Sequence, residues 1–152
     1  MNIIIAGSRA LTDYNKLKIN CLSSITKLNN IFMFNLNDVI IISGKCKKGA
    51  DKLGESFANE MNFPIQSFPA EWRNLKPIDE HGHELPCFIA YANNGTVYNK
   101  IAGMNRNTKM AKYCSLKTSA LIAFWDYKSS GTKHMIAQAK IYNIYTIIID
   151  IR

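Results

Sequence analysis

Arg9 and Arg106 are the side chains in this sequence best suited to grip an anion. A guanidinium meets a phosphate or carboxylate through two parallel N–H bonds. Each sits among small and hydroxyl residues, and two further segments share that character. The four are Gly7-Ser8-Arg9, Ser43 to Asp51, Ala102 to Asn107, and Trp125 to Thr132. Glycines let a backbone approach a ligand closely, and a helix beginning there offers unpaired N–H groups that suit phosphate. The ligand-contact candidates are Gly7, Ser8, Arg9, Ser43, Gly44, Lys48, Gly49, Asp51, Asn105, Arg106, Asn107, Trp125, Ser129, Ser130, Gly131 and Thr132. Trp125 and Tyr127 offer faces on which a base can stack. Trp72 reads as core. Any acid–base chemistry would fall to Asp51, Glu71 or Asp126. Each position also has a purely structural reading: turns after strands, helix caps at Ser43, Ser130 and Thr132, and a dipole partner at Asp51.

Two common phosphate motifs fail. Gly44 to Gly49 has the glycine spacing of a P-loop, but Ala50-Asp51 stands where lysine and a hydroxyl residue belong. No G-x-G-x-x-G follows the first apolar run, which disfavours a dinucleotide redox site.

The elements that must position these segments alternate. Apolar, β-branched runs at Ile3–Ala6, Asp38–Ser43, Ile65–Phe68, Ser119–Trp125 and Tyr145–Asp150 read as strands. Helical spacing marks Tyr14–Ile31, Ala50–Met61, Asn105–Tyr113 and Thr132–Tyr142. Residues between Pro69 and Gly103 read as irregular. The expectation is an α/β, Rossmann-like parallel sheet of about five strands with helices on both faces. Ligands in such folds sit beyond the carboxyl ends of the strands, where the four segments fall.

The chain has 152 residues, the size of one domain, and no apolar run long enough to span a membrane. With no signal-peptide pattern and four scattered cysteines, the expected setting is the cytoplasm with free thiols. The net charge of +8 favours an anionic partner, with nucleic acid possible but no dense basic block to support it. Asp79 to Glu84 with Cys87 contains a His-x-His pair, yet a polar loop explains it better than a metal site. Neither metal nor cofactor is expected.

Several motifs taken together resemble the YspA, or cpYpsA-related, branch of the SLOG superfamily. They are Ile5 to Arg9, Ile42-Ser43-Gly44 with Lys48 to Asp51, Phe68 to Trp72, Ala102 to Ala111, Phe124 to Asp126, and Ser130 to Ile136. That family occurs in bacteria and phages and is similar to the Lonely Guy phosphoribohydrolases. The resemblance implies one SLOG-like domain over 1–152 that binds a nucleotide or nucleotide-derived signal, such as an ADP-ribose derivative or cyclic nucleotide. It also implies a homo-oligomer. In a phage setting it implies an anti-defence sponge in the host cytoplasm, sequestering an immune signal. Two departures matter. About thirty residues, 73–101, intervene where the family passes quickly from one motif to the next. The position matching the Lonely Guy catalytic glutamate is Met135, and a thioether can neither transfer a proton nor stabilise developing positive charge. Three functions follow in order: sensor or sponge, hydrolase or transferase on a nucleotide, and nucleic-acid binding.

Overall fold

A computed structural model describes residues 1–152. The order is β1 (Asn2–Gly7), α1 (Tyr14–Phe32), β2 (Ile40–Ser43), α2 (Ala50–Glu60), β3 (Ile65–Ser67), β4 (Ile89–Tyr91), β5 (Val97–Asn99), α3 (Ala102–Ser115), β6 (Ser119–Trp125), α4 (Ser130–Ile141) and β7 (Tyr145–Asp150). Five strands form one sheet in the order β3-β2-β1-β6-β7. Every pairing in it is parallel. The fold is therefore α/β and Rossmann-like, as the alternating pattern predicts.

Alternation along each strand divides the core in two. Ile3, Ile5, Ile122 and Phe124 pack against α1 and α2 through Leu17, Leu28 and Phe57. Ile4, Leu121 and Ala123 turn the other way and meet Met110 and Cys114 of α3 and Met135 of α4. Side chains alternate across a strand, so a sheet covered on both faces needs unbroken apolar strands. That is why these runs carry no polar rhythm.

Local signals set most boundaries. Asp13 caps α1 by accepting from the Lys16 N–H at 2.9 Å, and Met33 ends it in the left-handed region at φ 48°. Leu36–Asp38 forms a single 3-10 turn, so the second strand begins at Ile40 and not at Asp38. The third helix begins at Ala102, three residues before the predicted Asn105, and α4 begins at Ser130. The segment read as irregular contains an antiparallel hairpin, β4–β5. No helix is long and apolar enough to cross a membrane.

Candidate functional site

The strand order reverses between β1 and β6, and a topological switch point of this kind opens a crevice at the carboxyl ends. Here that crevice is a cleft of about 550 Å³. The loop after β1 and the turn after β6 are tied together across it. Ser8 N–H donates to Phe124 O at 2.9 Å, and Ser8 Oγ donates to Asp126 Oδ2 at 2.7 Å.

Twelve of the predicted positions meet in this cleft: Gly7, Ser8, Arg9, Gly44, Asp51, Arg106, Asn107, Asp126, Ser129, Ser130, Gly131 and Thr132. They come from four separate elements, which is why only the fold brings them together. Four basic side chains line the cleft, Arg9, Lys100, Arg106 and Lys128, against two carboxylates, Asp51 and Asp126.

Arg106 projects from the first turns of α3 towards the loop after β2. Its Nη1 donates to Gly44 O, its Nε donates to Asn107 Oδ1 at 2.9 Å, and Nη1 stands 3.8 Å from Asp51 Oδ2. The pair is shielded, with side chains 15% and 10% exposed. Burial pushes the Asp51 carboxyl above its usual range, against the pull of the Arg106 guanidinium and the Cys46 N–H. Burial likewise lowers Arg106, and Asp51 opposes it. Gly44 makes room for this arrangement: a Cβ there would fall on the guanidinium and 2.7 Å from Asp51 Oδ2.

Asp126 has a different role from Asp51. Its carboxylate accepts the Ser129 N–H at 2.7 Å, the Ser8 hydroxyl at 2.7 Å and the Lys128 N–H at 3.0 Å. These bonds hold it down to about 2, an ionised anchor for the turn into α4. A group held so firmly ionised is ill suited to donate a proton near neutral pH. At the start of α4, Ser129 Oγ accepts the Thr132 N–H at 3.3 Å and the Thr132 hydroxyl at 2.9 Å. The Ser130 and Gly131 N–H groups have no protein acceptor, so an anion there meets free donors. Asn107, buried beneath, donates Nδ2–H to Gly131 O at 3.1 Å and fixes α3 to this turn.

Residues 1–75 match the family model described as YAcAr: YspA, cpYpsA-related SLOG family. No curated protein and no solved structure matches the chain. The family likeness covers β1 to Trp72 of the cleft wall and stops before the hairpin, α3 and α4. The other half of the site stands on its geometry alone.

Six predicted positions lie outside the cleft lining. Ser43 is buried and donates to Glu55 Oε1 at 2.7 Å. Lys48 is exposed on the loop, and Gly49, at φ 72°, packs its Cα against Arg9, where a Cβ would come within 2.5 Å of Arg9 Cα. Asn105 donates to Pro86 O at 2.8 Å, tying α3 to the long insertion. Glu71 is exposed and accepts from Asn74 Nδ2 at 2.8 Å. Trp125 stacks on Tyr127 with centroids 4.4 Å apart, while Arg152 lies 4.3 Å over the Tyr127 ring. Trp125 and Tyr127 thus stack on each other, and neither ring lines the cleft.

Trp72 corrects the reading in the opposite sense. It is 40% exposed and lines the cleft beside Gly103, so it is a wall residue and not core. Cys46 and Lys128, from two of the four candidate segments, also line the cleft, as does Lys100, which lies outside all four. Lys100 had no sequence signal, because only the hairpin fold carries it there. Met135 is 1% exposed and belongs to the core under the cleft floor. His134 lies beside Asn107, 3.5 Å from its Nδ2, and burial lowers its pKa towards the neutral ring. Asp79 accepts the His81 and His83 N–H groups at 2.8 and 2.9 Å, which makes the His-x-His segment a polar turn. No group of three His, Cys, Asp or Glu side chains is placed to hold a metal ion.

Proposed function

We propose that the cleft at the β1–β6 switch point binds a nucleotide or nucleotide-derived signal without converting it, so that the protein works as a sensor or a sponge. The observation that carries this reading is the convergence of Arg9, Lys100, Lys128 and the free N–H groups of Ser130 and Gly131 on one opening. Charged donors and a helix N-terminus are the means by which proteins hold phosphate. The volume suits a ligand of nucleotide size. Trp72 supplies an exposed aromatic face at the rim for a base. The family likeness over residues 1–75 supports the same ligand class. Met135 argues for binding over bond cleavage, because a buried thioether fills the position that the resemblance gives to a glutamate.

One observation favours an enzymatic alternative. Asp51 is a cleft carboxyl pushed upward by burial, the condition that suits a general acid. Incubation with AMP, ADP-ribose, cyclic ADP-ribose isomers and cyclic dinucleotides, then heat release and mass spectrometry, separates the two. Recovery of an intact ligand supports binding. Release of a free base or a phosphate product makes the protein an enzyme and Asp51 the first residue to test.

A further inference from the structure

The α2 side of the cleft carries positive charge that nothing in the protein offsets. Lys47, Lys48 and Lys52 are exposed there, and none makes an ion pair. The two neighbouring carboxylates are already engaged. Asp51 faces Arg106 at 3.8 Å, and Glu55 bridges to Lys45 at 3.2 Å. Both carboxylate side chains are only 10% exposed, so neither reaches out to the rim lysines. Gly49 packs directly on the Arg9 backbone, which holds this loop against the loop after β1. The patch is continuous with the cleft, because Gly44 and Cys46 of this loop line it. The Lys47, Lys48 and Gly49 N–H groups, moreover, donate to no protein acceptor. Clustered cations repel one another, and successive free N–H groups make an anion-binding concavity, so both features are relieved by a bound anion.

We propose that the Lys45–Lys52 loop is a second anion subsite, and that the ligand is a nucleotide with at least two phosphates, one in the cleft and one on this rim. The inference rests on the nucleotide reading of the cleft and narrows it. A nucleoside monophosphate leaves the rim unused.

Calorimetry on the full chain tests this with AMP, ADP-ribose, inorganic tripolyphosphate and a twelve-residue oligothymidylate at one salt concentration. The comparison is wild type against the Lys47→Ala/Lys48→Ala/Lys52→Ala variant, whose exposed substitutions leave the core untouched. Wild type is expected to bind ADP-ribose at least about tenfold more tightly than AMP. The variant is expected to bring ADP-ribose to within about threefold of AMP, with AMP itself unchanged. An unaltered ratio overturns the subsite, and so does a parallel loss of AMP, which would indicate only a general field. Oligothymidylate binding more tightly than ADP-ribose, with a steep salt slope that depends on these lysines, makes the rim a nucleic-acid surface and overturns the proposal. If wild type binds neither nucleotide, tripolyphosphate decides. Lysine-dependent binding keeps the subsite and removes the nucleotide reading, and absent or lysine-independent binding removes both.

Discussion

At Arg106 a guanidinium and a carboxylate share a shielded corner of the cleft, and each is costly without the other. Arg106→Ala is expected to weaken nucleotide binding by more than about tenfold while the chain stays folded. It also leaves Asp51 buried and unpaired. A carboxyl whose folded pKa is raised contributes stability below its unfolded value and loses it as pH rises through the folded one. Asp51 is raised already, and losing Arg106 raises it further. The difference in unfolding free energy between wild type and Arg106→Ala, read from denaturation at a series of pH values, should therefore widen from acidic to neutral pH, reaching about 2–3 kcal/mol, less than for a pair in a sealed core. A gap that stays constant with pH would mean that Asp51 does not depend on Arg106.

Asp126 runs the other way. Its folded pKa is depressed to about 2, so its contribution is present above the unfolded value and is lost as pH falls towards 2. Asp126→Asn should lower the melting temperature at neutral pH, and the gap to wild type should close as the solution is acidified. Thermal melts of both proteins across that range check it. A gap that persists at the acid end would show that the ionised form is not what holds the turn.

Among the elements, the central strands β1, β2 and β6 are legible as apolar runs largely buried on both faces, and the edge strands β3 and β7 by their β-branched residues at Ile65 and Ile147–Ile149. The hairpin is not. β4 and β5 are three residues each, and the apolar side chains Ile89 and Tyr91 point to solvent, so no burial rhythm marks them. Yet the hairpin shapes the cleft. Asn99, 1% exposed at its end, donates its N–H to Trp72 O at 2.7 Å, and its Oδ1 accepts the Phe88 and Ile101 N–H groups at 3.0 and 3.2 Å. It fastens Trp72, the hairpin and the start of α3 at one point. A lone asparagine in an irregular segment gives no hint of this, which is why Trp72 and Lys100 escaped prediction while Arg9 and Arg106, beside glycines at strand and helix ends, did not. Asn99→Ala strands two N–H groups and should cost about 1–3 kcal/mol. It should also blue- or red-shift the Trp72 fluorescence, read against a Trp125→Phe background. Unchanged stability and emission would separate the hairpin from the cleft wall.

Across the whole molecule, nineteen basic side chains against eleven acidic ones leave many cations without a carboxylate partner, and the cleft holds some of them. Glu60 pairs with Lys18 and Glu80 with Lys112, while Arg9, Lys100 and Lys128 at the cleft have no carboxylate partner. Nucleotide affinity should fall moderately with added salt, as screening reduces attraction at an open site. A steep log–log slope with a long oligonucleotide would instead favour nucleic acid as the ligand. Light scattering at micromolar concentration, with and without ADP-ribose, reads whether the binding unit is one chain or several. A monomer mass would mean that each chain carries a complete site.

The most direct test of the cleft as the ligand site is a two-dimensional amide NMR titration of the full chain with ADP-ribose. Saturable shifts are predicted at Gly7–Arg9, Asn107 and Ser129–Thr132, all needing at least about tenfold more ligand in Arg106→Ala. Shifts confined to other surfaces, or none at millimolar ligand, would contradict a nucleotide site at the β1–β6 switch point.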